Sequence, residues 1–305
     1  MSQQFNHTFV LPVERALYRD VASSYTGAGK IIDAGCFAGG TTTALCEGIH
    51  GHFERPPIVA IDRFIVADAY VAAHFAASGV DLRMGESFLP VFLSNISAHV
   101  GLVEVRAGDV FAVSRVEDPI EIVSIDIAKT PSINSFLLMH WFPRLIPGVA
   151  TLLHQDFHAP SQPWVAASMA ALAPYFTVFE AKIGETAAFR LERSIAPTAL
   201  QAAVTLDWRS KDGLKSLELM HEILGAPSNR SVSIMIAKCL KHHGRVADAR
   251  RIVEALFQSG GFEDDPKWKQ WLGMAAATLH PSILSSKQFA AEIYDEDGRF
   301  RLGHW

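Results

Sequence analysis

The chain has 305 residues, 49% of them apolar and 19% charged, and carries a net charge of −5. That composition excludes a disordered chain and leaves ample apolar material for a core. The acidic balance supplies no overall basic field to hold nucleic acid or an anionic membrane. No apolar run reaches the roughly 18 residues of a spanning helix. Met1 to Asp20 lacks the basic start and apolar run of a secretory leader. Cys36, Cys46 and Cys239 are scattered, show no zinc or redox spacing, and suit a reducing cytoplasm.

From Lys30 to Arg193 short apolar runs alternate with helical stretches, the pattern of a parallel α/β sheet. Ile31-Ile32 runs into Asp33, and Gly35 with Gly39-Gly40 marks a tight turn before a helix over Thr41 to Gly48. Ile58 to Ile61 is a second strand ending at Asp62. Val66 to Val100 holds one or two helices broken around Gly79 and Gly85. Leu102 to Val105 is a third strand followed by Gly108-Asp109, and Ile120 to Ile125 is a fourth ending at Asp126. A helix starts after Pro131 and stops before Pro147-Gly148. Val149 to Leu153 then runs into His154-Gln155-Asp156. After a helix around Trp164 to Leu172, Phe176–Ala181 and Thr186–Glu192 flank a short Gly-containing connection. That spacing predicts a hairpin, so the last strand runs antiparallel.

Beyond Ile195 the pattern becomes helical throughout. Leu214, Leu217, His221 and Leu224 share one face, and the i, i+3, i+4, i+7 spacing returns at 232–240 and 249–257. Gly244 separates these last two, giving a hairpin over 231–257 of tetratricopeptide type with no second copy at a fixed period. Asp265-Pro266 reads as the cap and start of a further helix carrying Trp268 and Trp271, expected as core. The expected domains are 1–195, an α/β sheet, and 196–305, an all-helical extension that shapes an acceptor site or makes a homodimer contact.

The turn from Asp33 to Thr41 puts backbone N–H groups at the carboxyl edge of the sheet, where open α/β folds bind ligands. Phe37 stands where a dinucleotide fingerprint needs its middle glycine, and no lysine precedes Thr41 as a P-loop requires. Acidic residues then end successive strands: Asp62, Asp109 and Asp126. A carboxylate at the second strand end can accept hydrogen bonds from both hydroxyls of a ribose. Singly, each is also a loop or cap residue.

With these residues in place, the chain resembles the class I S-adenosylmethionine-dependent methyltransferases over roughly 30–193. Asp33-x-Gly35-x-x-x-Gly39-x-Thr41 is similar to the family's first motif, Asp62 to its ribose-binding acid, and Gly108-Asp109 to its adenine loop. The resemblance implies a Rossmann-like sheet with a late antiparallel strand. It also implies a cofactor-binding set of Asp33, Gly35, Phe37, Gly39, Thr41, Asp62, Arg63, Asp109 and Asp126.

Ile125-Asp126, the stretch Pro143 to Gly148, and His154-Gln155-Asp156-Phe157 are similar to a narrower group, the metal-dependent O-methyltransferases of macrolide and aminocoumarin sugars. This likeness implies Mg²⁺ held by Asp126, Asp156 and the position of Gln155. Gln155 replaces one carboxylate ligand, which weakens such a site, and Ala128 replaces a carboxylate proposed as base. His154 and His158 flank Asp156, so His154, His158 and Asp126 form the candidate catalytic set. Either histidine can equally close the strand end or bond locally. Lys129 reads as a solvated residue at a helix start, or as a contact for the cofactor carboxylate or an anionic substrate. The expected activity is methyl transfer to a hydroxyl of a small acceptor, a sugar or glycoside. Its rival is a catalytically degenerate cofactor-binding protein whose helical region is an interaction module.

Overall fold

Apolar runs that need burial on both faces become the parallel strands of the computed structural model, which describes residues 8–260 and 266–279. The strands are β1 (Lys30–Ala34), β2 (Ile58–Asp62), β3 (Val103–Ala107), β4 (Ile120–Ile125), β5 (Thr151–His154), β6 (Phe176–Ile183) and β7 (Thr186–Leu191). They form one seven-stranded sheet in the order β3-β2-β1-β4-β5-β7-β6. β1 and β4 sit at its centre and are buried along their whole length. The first five strands run parallel, and β7 runs antiparallel to both β5 and β6, as the hairpin spacing predicts. Strand order reverses between β1 and β4, so the carboxyl ends of these two strands flank the crevice where such sheets bind ligands.

The described chain divides into two compact units, one of residues up to 157 with 174–204, the other of 158–173 with the residues from 205 onward. The first unit contains the sheet together with α1 (Pro12–Ser23), α2 (Gly40–Gly48), α3 (Ala69–Ala77), α4 (Leu89–Asn95), the single turn α5 (Val110–Val113) and α6 (Pro131–His140), and most of α8 (Pro197–Thr205). α1 was not anticipated from the sequence. It packs on α2 and is tied to the β6–β7 hairpin by the buried Glu14. That carboxylate accepts from Leu11 N at 2.9 Å, Glu185 N at 3.1 Å and Thr186 Oγ1 at 3.0 Å. A second buried acid, Glu121 on β4, binds the loop before β1 through Thr26 N at 2.5 Å and Ala28 N at 2.9 Å.

The second unit comprises α7 (Pro163–Ala171), α9 (Lys211–Leu224), α10 (Arg230–His242), α11 (Val246–Gln258) and α12 (Pro266–Leu279). The division expected at 195–196 placed α7 with the sheet; here it groups with the later helices. The reason is its composition: small apolar residues are buried on every side of α7, and it packs on α9. α10 is likewise buried almost all round, with α9, α11, α12 and α7 against it. The expected hairpin is the pair α10 and α11, turning at Gly244. On α9 the buried stripe runs Leu214, Leu217, Met220 and Leu224, so Met220 rather than His221 faces inward. Trp268 is buried as expected, whereas Asp265 lies outside the described residues. Among the described residues no helix is long and apolar enough to cross a membrane.

Candidate active site

The glycine turn is built from behind. Asp33 is fully buried, and its carboxylate accepts from Thr41 Oγ1 at 2.8 Å and Thr42 Oγ1 at 2.6 Å, pinning the first turn of α2 to β1. Burial pushes the Asp33 carboxyl up to about 6 even though both hydroxyls pull it back. Asp33 and Thr41, expected in the cofactor set, therefore brace the turn from beneath. Gly35 has φ +87°, and a Cβ there would lie 2.8 Å from the Asp126 carbonyl oxygen, so β1 and β4 can approach only around a glycine. Gly39 follows in the left-handed region as the cap of α2.

Asp62 closes the turn from the side. Its carboxylate accepts from Phe37 N at 3.0 Å and from Phe64 N at 2.8 Å. Both phenylalanines are left-handed, at φ 46° and 54°, an uncommon state for bulky residues that here aims two amides at one carboxylate. Burial raises the Asp62 carboxyl while these two amides draw it down. Each carboxylate oxygen has a second acceptor site, so a diol can still be bound. Arg63 beside it is exposed. Asp109 is exposed as well and caps α5 through Phe111 N at 3.0 Å, the local role that any loop aspartate can take.

A contribution that the sequence reading missed comes from the segment before α1. Thr8 occupies the space that a Cβ at Gly40 would need. The Phe9 ring lies 5.0 Å from that of Phe37, 3.9 Å from His74, and stacks on Tyr70 at 5.4 Å. Phe37 itself packs on Phe75 and Phe88. An aromatic in an aperiodic stretch gives no signal that could have identified it.

Across the crevice, Asp126 follows β4 and Asp156 follows β5, strands paired through Ile125 and His154. The structure brings the two carboxylates together, as expected, but around a side chain that the sequence reading left in solvent. Lys129 Nζ donates to Asp126 Oδ1 at 2.5 Å and also to Asp156 Oδ2. Burial raises the Asp126 carboxyl, the ammonium opposes that rise, and Asp156 adds to it. The two carboxylates hold the ammonium well above its ordinary range, against burial.

These donors do not fit Mg²⁺. Asp126 and Asp156 share one ammonium, and the third expected ligand, Gln155, is buried with Oε1 accepting from the Tyr18 hydroxyl at 3.3 Å. Ala128 is buried and offers no side-chain oxygen. Among the described residues no group of three or more His, Cys, Asp or Glu could hold a metal.

The two histidines part company. His154, at the end of β5, is 2% exposed, and its Nδ1 has no hydrogen-bond partner among the described residues. Burial lowers it to about 4 against the pull of Asp156, so the ring is neutral at physiological pH. His158 belongs to the helical unit, where its Nδ1 lies 2.8 Å from Ser231 Oγ in a fully buried pair.

No family model and no curated protein matches the chain. Among solved structures it is similar to the O-methyltransferase NovP, with 14% identity over 61% of this chain and 83% of that one and a TM-score of 0.47. It is also similar to an O-methyltransferase from Bacillus cereus in complex with SAH, with 14% identity over 61% of this chain and 83% of the other and a TM-score of 0.41. The sheet order, with β7 antiparallel beside β5, is the Rossmann-like arrangement with a late antiparallel strand that the sequence resemblance implies. At these scores the likeness says nothing of chemistry.

Proposed function

We propose that the protein transfers the methyl group of S-adenosylmethionine to a hydroxyl of a small acceptor. The observation that supports this reading is the bonding of the glycine turn to Asp62 at the switch point of the sheet. The turn offers backbone amides to a charged amino-acid tail, and Asp62 offers acceptors for a ribose diol. Phe37, backed by the buried Phe88, adds apolar surface beside them. The cofactor would supply an electrophilic methyl on a sulfonium.

The residues of the chain then orient the acceptor and manage one proton. For the acceptor hydroxyl to take that methyl it would have to give up its proton, and a residue of the chain must receive it. His154 is assigned as the proton acceptor, because it is neutral and carries an unpartnered buried nitrogen, with Asp156 able to stabilise the imidazolium. The nitrogen of His158 facing Ser231 is already engaged. Holding the acceptor hydroxyl in place against the bound cofactor would be the chain's main contribution to rate. A sugar or glycoside is the preferred acceptor class, supported by the sequence resemblance to sugar O-methyltransferases. The described part of the helical unit is assigned no chemistry.

The rival reading, cofactor binding without turnover, draws on one observation, the engagement of both expected metal-binding carboxylates by Lys129. Calorimetry with S-adenosylmethionine and with its demethylated product tests binding. Transfer of labelled methyl across a panel of sugars and glycosides tests turnover. Absence of binding would refute both readings, whereas binding without transfer to any acceptor would leave the rival standing.

A further inference from the structure

Two carboxylates at the ends of neighbouring strands repel one another, and such a pair persists ionised only beside a cation. In this protein the chain supplies that cation itself. The loop from Asp126 to Lys129 is short and closed by a turn, with Lys129 N donating to Ile127 O at 2.7 Å. Thr130 then caps α6 through Ile133 N. This turn curls the lysine back over Asp126, and the adjacency of β4 and β5 puts Asp156 within its reach.

We propose that Lys129 is the resident cation of this site, its ammonium standing between Asp126 and Asp156 where a divalent metal would otherwise sit, so that the site works without metal. The inference rests on the methyltransfer reading for its purpose, though its test does not. An ammonium in this position leaves a divalent ion facing a fixed positive charge and deprived of both carboxylate oxygens. Gln155, the remaining donor in the sequence pattern, is committed to Tyr18. Lys129 makes two hydrogen bonds to carboxylates and its side chain is half-exposed. A third N–H is thus open to an acceptor oxygen, which it would orient and whose negative charge it would stabilise. One ammonium against two carboxylates leaves a net charge of −1, which favours neutral polyols over anionic acceptors.

The experiment is a manganese titration of the full chain followed by electron paramagnetic resonance, with melting temperature as a second readout. Wild type is expected to leave Mn²⁺ free up to about 1 mM, the weak end of carboxylate sites, and to melt at the same temperature with or without it. Lys129→Ala takes the ammonium away from the two carboxylates and is expected to bind Mn²⁺ below that concentration and to melt several degrees higher in its presence. Lys129→Arg, which keeps a cation in place, should remain silent. Binding of Mn²⁺ by wild type, abolished by Asp156→Asn, would overturn the proposal, as would failure of a folded Lys129→Ala to gain binding. Should that variant not fold, Lys129→Met keeps the apolar stem and takes its place, and the wild-type titration decides alone if neither folds. Because none of these readouts involves methyl transfer, loss of the proposed activity and loss of this inference remain separate results.

Discussion

Phe37 donates its backbone amide to Asp62 Oδ2 at 3.0 Å, so the acid proposed to hold a ribose also fixes the conformation of the turn proposed to hold the rest of the ligand. A hydrogen bond to a charged group is worth about 1.5–3 kcal/mol, and Asp62→Ala removes both the ribose acceptors and the restraint on Phe37. Affinity for S-adenosylmethionine is expected to fall by about tenfold or more. Isothermal calorimetry on the folded variant checks this, and unchanged affinity would remove Asp62 from the site.

Asp33 gives a pH signature. Its carboxyl rises from an ordinary 3.8 to about 6 in the folded chain through burial. Below about pH 4 it is protonated in both states and costs nothing; as pH rises to about 6 the unfolded chain ionises first, and stability falls. Asp33→Asn cannot ionise, so its stability relative to wild type should improve by roughly 2–3 kcal/mol between pH 4 and 7. Its altered bonding to Thr41 and Thr42 contributes only a constant offset. Urea melts of both proteins at several pH values measure the difference, and a flat difference would contradict the assignment.

Glu14 is expected to matter for stability and not for chemistry. Truncation to alanine removes the acceptor of Leu11 N, Glu185 N and the buried Thr186 Oγ1, at a cost of about 2–4 kcal/mol. Denaturant unfolding should show that loss. A shift under 1 kcal/mol would mean that the hairpin is held by something other than this carboxylate.

The histidines should separate by assay. His154→Gln is expected to lower turnover by about 10²-fold or more while leaving cofactor affinity unchanged. Ser231→Ala removes the hydroxyl beside His158 Nδ1 and should cost about 1–2 kcal/mol of stability with turnover per folded molecule unchanged. The reverse pattern would transfer the base to His158.

The parallel strands were legible because burial on both faces forces continuous apolar runs, and because glycines and aspartates mark their carboxyl ends. The same double burial hides direction. Alternation along β1 cannot say which face Asp33 takes, so a residue that braces the turn from below read as one that faces the ligand. The pairing of Lys129 was hidden for a different reason: its bond to Asp156 spans 27 positions and exists only once β4 and β5 are neighbours. α10 read as amphipathic because its apolar positions fit one stripe. Ser231 and Ser233 complete its buried circumference, and a hydroxyl that can bond locally or to a partner such as His158 does not show as interior in a hydropathy pattern.

Thr8 and Phe9 carry a practical consequence. One fills the space above Gly40 and the other packs on Phe37, so on the proposed reading both border the ligand. A version of the chain trimmed to begin at Pro12 would keep every strand and still lose that cover. Its defect would show as weak ligand capture on top of the stability lost with Val10 and Leu11.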